Sequence, residues 1–240
     1  MVLRGAARTR PARLPGPAPD HVAVTTHADT PGPATAAGTV ADPALSGDSL
    51  FFVGNATMVL RLAGTTILTD PNFVPKGTEV PLGYGLSTTR LTDPAISMDD
   101  LPALDAVLLS HYHGDHFDQL AEARLARDVP IVTTPQAAST LDELGFRRTT
   151  GLETWATHEH IGPGGRVRIT ALPGRHAPGP LDIALPDVMG SLVEVWHDDT
   201  PTGGAPGSDP DLRLYITGDT LVFEGLHEIP ARTGAIDLAV

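Results

Sequence analysis

The segment "LDAVLLSHYHGDHFDQL", residues 104–120, constrains this 240-residue chain more than any other. Its first half is a continuous apolar run of strand length, the pattern of a strand covered on both faces. Its second half places three of the chain's ten histidines and an aspartate within His111 to His116. Imidazole and carboxylate groups next to a buried strand lose hydration, a cost that is tolerated only when something binds them. In extended backbone, positions two apart share a side, so His111 and His113 can grip one ion together. Gly114 permits a sharp bend that would swing Asp115 and His116 towards a second ion. A helical period follows in "DHFDQLAEARLA", with Phe117, Leu120, Ala121 and Leu125 on one stripe. The chain must therefore run strand, ligand-rich turn, helix.

The flanking sequence extends this pattern. Leu50–Val53, Thr57–Leu62 and Thr65–Thr69 read as strands, with Ala63–Gly64 as a tight hairpin turn. "VPIVTT" reads as a strand, and "PQAASTLDELGF" as a helix with Thr134 as cap and Pro135 at its first position. Further strands are expected around Thr154–Thr157, Arg166–Leu172, Ser191–Val195 and Leu212–Thr217, the last preceded by the polar loop "TPTGGAPGSDPD". Strands interleaved with helices indicate an α/β layered domain with mixed sheets over residues 49–240. Residues 1–48 are rich in Pro, Ala, Gly and Thr and show no period over most of their length. They are expected to form a disordered arm, with no metal role for His21 or His27.

Composition narrows the chemistry. The chain has no cysteine, so a metal would be held by histidine and carboxylate. That donor set favours zinc, with manganese or iron as alternatives. Sixteen basic residues against 29 acidic ones leave a formal charge of −13, which lacks the basic footprint of nucleic-acid binding. No apolar run approaches the roughly 18 residues of a membrane span. No apolar core follows the N-terminal arginines, so a cytoplasmic protein acting on a small molecule is expected. Oligomeric state stays open.

Three turns each follow the carboxyl end of an expected strand, where α/β sheets place ligand sites. "SHYHGDH" follows "DAVLL". "PGRHAPG" follows "VRITAL" and carries His176, and "TGDT" follows "RLYI" and carries Asp219. Asp70 closes the strand "TILTDP". Taken singly, Asp70 and Asp219 also fit as ordinary turn residues. "THEHIG" repeats the His-x-His spacing at His158 and His160 but lacks the Asp-His that follows in 111–116, and it reads as an exposed strand face. His197 and His227 read as surface or packing residues. The 71–102 connection, with Phe73, Tyr84 and Arg90, is either a substrate lip or a solvated linker. Arg175 either meets an anionic group or is a surface charge.

In combination these motifs resemble the metallo-β-lactamase-fold hydrolase superfamily, over roughly residues 50–240. Its His-x-His-x-Asp-His signature stands here as His111, His113, Asp115 and His116. The resemblance implies an αββα sandwich holding two divalent ions. His111, His113 and His176 would bind the first, Asp115 and His116 the second, and Asp219 would bridge them. Asp70 would support the metal loop without touching metal. The implied activity is a binuclear hydrolase whose metal-bridging hydroxide attacks an ester, lactone or phosphodiester, with Asp115 orienting the hydroxide and passing on a proton. "GNATMVLRLAGTTILTDP" and "MGSLVEV" look most like the branch with ascorbate-phosphate lactonases and N-acyl-phosphatidylethanolamine phospholipase D. The family supplies a further histidine to the second ion, beyond a strand that "GAIDLAV" resembles. A sandwich incomplete at its C-terminus is therefore expected. A truncated, non-catalytic metal-binding relic and a di-iron redox protein on the same fold are the competing expectations.

Overall fold

A computed structural model describes residues 47–83, 85–179, 185–198 and 207–240. The arm expected over 1–48 lies almost wholly outside this range, as do Tyr84 and much of the 200–211 loop. The chain opens with an antiparallel meander, β1 (Ser49–Gly54), β2 (Thr57–Leu62) and β3 (Thr65–Thr69). Ala63 at φ 47° and Gly64 at φ 74° make the two-residue turn between the last two. A separate hairpin, β4 (Glu79–Gly83) and β5 (Leu86–Thr89), then stands within the 71–102 connection. The first sheet resumes with β6 (Ala106–Leu108), β7 (Ile131–Thr133) and β8 (Thr149–Gly151), all parallel to β3. The crossovers carry α1 (Gln119–Arg124), capped by Asp118, and α2 (Pro135–Glu143), capped by Thr134.

The second sheet is an antiparallel run of β9 (Thr157–Gly162), β10 (Gly165–Leu172), β11 (Gly190–His197) and β12 (Leu212–Ile216). A short β13 (Leu238–Ala239) pairs parallel to β12 at its edge, after α3 (Glu228–Thr233). Period-two side chains divide into separate cores. Leu60 and Leu62 of β2 face Val193, Val195 and Leu214 of the second sheet, while Val59 faces away from them. Val59, Leu68, Val107 and Ile131 instead pack on Ala121 of α1 and Leu141 of α2. On the far side, Leu172 and Leu192 pack on Ile229 of α3. The layers are helix, sheet, sheet, helix, as the resemblance implies.

Four local readings need correction. The strand expected around Thr154–Thr157 begins only at Thr157, because Trp155 sits at φ 71°, outside the β region. The 71–102 connection is not a plain loop, since it contains β4 and β5. Phe73 is 4% exposed and packs in the core beneath α1, so it is no substrate lip. The decoy pair His158 and His160 lies on the edge strand β9 but on its half-buried face, not the exposed face expected, and the exposed Glu159 between them meets Arg168 at 2.8 Å. Among the described residues no helix is long and apolar enough to cross a membrane.

His197 ties the two sheets together away from the ligand turns. Its Nε2 lies 3.0 Å from Asp48, just before β1, and its Nδ1 lies 3.4 Å from Asp211, just before β12. Burial alone would lower this imidazole, but the hydrogen bonds and charges of Asp48 and Asp211 prevail and raise it. A raised histidine stabilises the fold fully below the ordinary value of about 6.5 and loses that contribution as pH climbs through the folded value. His197→Gln is therefore expected to lower the Tm clearly at pH 5.5 and much less at pH 9. Thermal melts at the two pH values check this; an equal loss at both would rule out the charged clasp.

Candidate metal centre

Four strand ends build the site. Asp70 ends β3, the 110–116 turn follows β6, His176 follows β10 and Asp219 follows β12. Asp70 is 1% exposed and sits at φ 34°, a backbone conformation costly for a non-glycine residue. Its carboxylate compensates on both oxygens. Oδ1 accepts from Ser110 N at 2.7 Å, and Oδ2 lies 3.2 Å from His116 Nδ1. Ser110 Oγ in turn lies 2.9 Å from His111 Nδ1 and 3.3 Å from His116 Nδ1. With those Nδ1 atoms engaged, His111 and His116 present their Nε2 atoms to the interior of the cluster.

The imidazoles converge there. The ring centroid of His111 lies 4.8 Å from that of His113, 4.2 Å from His116 and 4.8 Å from His176. His111 Nε2 is 3.2 Å from His113 Nδ1, and His116 Nε2 is 3.2 Å from Asp219 Oδ1. The other Asp219 oxygen is 4.0 Å from His176 Nε2. Two ligand-type triads result, each with its donor atoms within 4.8 Å of one another: His111, His113 and His176, and His111, His116 and Asp219. The first is the triad expected for one ion. The second contains two of the residues expected around the other ion, with His111 shared between the two.

Asp115 belongs to neither triad. It lines a cleft of about 690 Å³ together with His116, Asp70 and Asp219, and its Oδ1 is buried without a hydrogen-bond partner among the described residues. The same cleft is walled by Phe52, Met58, Val80 and Leu91 on its apolar side and by Asn55, Thr88 and Thr89 on its polar side. Arg175 sits away from the cleft wall, with its guanidinium 4.9 Å from the Phe223 ring.

Electrostatics separate the histidines. Burial, reinforced by the neighbouring His116 and His113, pushes His111 down to about 2 and so keeps it neutral, as a ligand must be. Burial also lowers His113, helped by His176 and opposed by Asp115. His116 behaves oppositely in the metal-free centre: burial pulls it down, but hydrogen bonds to Asp219 and Asp70 override that and hold it up at about 10, with a proton that a bound ion would displace. The hydrogen bond from His116 keeps Asp219 down at about 2, against the effect of burial.

The donor set fits a metal. A tetrahedral ion with Zn–N and Zn–O bonds near 2.0–2.1 Å holds adjacent donor atoms about 3.3 Å apart. The two 3.2 Å approaches within the cluster match that spacing. The buried Asp115 Oδ1 and His113 Nε2, both without a hydrogen-bond partner among the described residues, mark a site whose polar atoms are not satisfied by protein alone.

Sequence reasoning missed three residues that hold this turn. Ser110 lies between two of the ring nitrogens. Asn72 donates from Nδ2 to the Asp115 carbonyl at 2.9 Å, and Asp118 accepts from Val74 N at 2.7 Å and from Phe73 N while capping α1. Asp118 lies inside the stretch read as helical from Asp115, whereas α1 begins only at Gln119 and Asp118 is its N-cap, a residue type that favours that position. Gly114 also has a different reason from the one expected. Its φ is not left-handed, but a Cβ there would stand 2.3 Å from the carbonyl oxygen of Pro81, so only glycine lets β4 pass over the turn.

Known proteins share this plan. A metal-dependent hydrolase of Anaeromyxobacter sp. (strain K) is 25% identical over 170 residues, 68% of this chain and 57% of that protein. N-acyl-phosphatidylethanolamine-hydrolyzing phospholipase D 1 of Caenorhabditis elegans is 28% identical over 121 residues, 50% of this chain and 30% of the relative. The chain thus spans less than two thirds of the length of these curated relatives. Among solved structures, the isothiocyanate hydrolase from Delia radicum gut bacteria superposes with a TM-score of 0.59 at 26% identity, covering 77% of this chain and 67% of that one. The model of the β-lactamase superfamily domain matches residues 65–240, a stretch that holds every ligand-type residue of the cluster, and the chain belongs to that family.

Proposed function

We propose that the protein is a metal-dependent hydrolase with a binuclear centre, acting on a small ester, lactone or phosphodiester. One observation carries the reading: two donor triads lie side by side, and the Asp219 carboxylate turns one oxygen towards His116 and the other towards His176. His111, His113 and His176 would hold one divalent ion, zinc foremost. Asp115, His116 and Asp219 would hold the other, with Asp219 spanning both. Bound there, the ions supply Lewis acidity and bring the pKa of a water to about 7.

The chain's own groups do the rest. Asp70 holds His116 by Nδ1, so that Nε2 stays directed at the Asp219 side. Asp115, on the cleft wall with an Oδ1 that has no hydrogen-bond partner among the described residues, accepts the proton of the attacking water at that oxygen and returns it to the leaving atom. Phe52, Met58 and Leu91 exclude water from the apolar part of the substrate, and a cleft of about 690 Å³ suits a small molecule. The names of the bacterial and nematode relatives, both hydrolytic, support this class of reaction.

The test is metal counting joined to turnover. The protein stripped by chelator is expected to bind two zinc ions per chain and to regain hydrolysis of bis(p-nitrophenyl) phosphate or an aliphatic lactone with the second equivalent. One ion or fewer per chain with no turnover on either substrate would favour the non-catalytic relic instead.

A further inference from the structure

We propose that Arg90 and Asn72 are positioning residues that set the Gly114–Asp115 segment, so that the β4–β5 hairpin and the Asp115 side of the metal centre are held as one unit. The inference rests on the reading of Asp115 as a ligand to the second ion. Arg90 follows β5 at the base of the hairpin and is pinned there by its backbone, its N donating to the Thr78 carbonyl at 2.9 Å and its carbonyl accepting from Gly77 N at 2.8 Å. Its side chain turns inward and is 4% exposed. Nε donates to the Thr92 carbonyl at 2.9 Å, and Nη1 donates to Asn72 Oδ1 at 2.6 Å.

Asn72 is fully buried and carries the contact onward. A guanidinium can only donate, so the Asn72 oxygen must face Arg90. The Asn72 amide nitrogen must then face the turn, where it meets the carbonyls of Asp115 at 2.9 Å and Gly114 at 3.3 Å, which can only accept. The carboxamide therefore has one workable orientation, imposed from both ends. Its backbone is held as well, Asn72 N donating to Thr57 Oγ1 at 2.9 Å.

One close approach shows how tightly the hairpin and the turn are fitted. A Cβ on Gly114 would lie 2.3 Å from the Pro81 carbonyl of β4. The hairpin thus reaches the ligand turn twice, directly over Gly114 and indirectly through Arg90 and Asn72. Burying a guanidinium is costly, and here Nη2 is buried with no hydrogen-bond partner among the described residues, while burial pulls Arg90 below its ordinary value against the charges of Asp118 and Asp93. A residue serving only to close the hairpin has no need of that position, since the backbone contacts of Arg90 already close it.

Two variants test the relay. Asn72→Asp keeps the acceptor for Arg90 but replaces the donor facing Gly114 and Asp115 with a second acceptor. Arg90→Lys keeps the buried charge but not the forked pair of bonds, and among the described residues Arg90 makes no hydrogen bond to the turn itself. In the metal-free protein, amide exchange at His116 and Phe117, both donating to the His113 carbonyl, is expected to quicken about tenfold in Asn72→Asp. A smaller increase is expected in Arg90→Lys, with exchange in β10 and β11 unchanged in both. Titration of the stripped protein should show the second zinc ion weakened about 10–100-fold in Asn72→Asp with the first retained. Unchanged exchange in the turn in both variants would overturn the relay. Should the unsubstituted protein take up no second ion, the binuclear reading falls, while the exchange experiment still decides the relay; should Asn72→Asp not fold, Arg90→Lys decides it alone.

Discussion

His111→Ala is expected to disable the first ion's site and spare the second. His111 is fully buried and stands in both triads, but an imidazole has one lone pair to offer and so serves one ion. Removing it leaves the first ion two histidines of its own, while Asp115, His116 and Asp219 still offer the second ion three donors, the number a zinc site needs. Elemental analysis should fall from two ions per chain to about one, and kcat/KM should fall by about 10³-fold or more. His176→Ala removes a different donor of the same ion and should give the same ion count. A His111→Ala protein that still carried two ions would dismantle this assignment of ligands.

The second large effect concerns Asp70. Asp70→Ala strips the partner from His116 Nδ1 and the acceptor from Ser110 N, both in the buried interior, and forces alanine into a left-handed conformation. Breaking a buried charged pair from one side costs about 3–5 kcal/mol, a large share of the stability of an ordinary domain. Urea unfolding of the metal-free protein should show a loss of that size. Asp70→Asn separates scaffold from electrostatics, since asparagine tolerates positive φ and can still accept from Ser110 N. It should recover most of the stability yet bind the second ion about 10–100-fold more weakly. Equal stability of Asp70→Ala and the parent would show that the strained turn is held by something else.

Much of the frame is readable from the residues alone. β2 and β3 have the limits read for them on either side of the Ala63–Gly64 turn, and α2 begins where Thr134 and Pro135 place it. The structure also brings His111, His113, His116, His176 and Asp219 together, because each lies just past the end of a strand whose apolar run is visible. The missing pieces share a cause. Every residue of β5 is exposed and Val80 is the one buried side chain among the described residues of β4, too little to leave a period in the sequence. β9 alternates only between exposed and half-buried residues, and its Thr157–Gly162 composition is polar. The roles of Asn72 and Arg90 are invisible for another reason. They act through side-chain bonds to residues 18 and 43 positions away in the chain, which no local pattern records.

The division into separate cores has an evolutionary corollary. Every ligand-type side chain rides on a connection at the end of a strand, while the residues that knit the layers together sit along the strands themselves. Selection on the chemistry and selection on the scaffold therefore act on different positions. A lineage could exchange its metal, shift its preferred substrate or abandon hydrolysis altogether by editing four connections, and inherit the same sandwich unchanged.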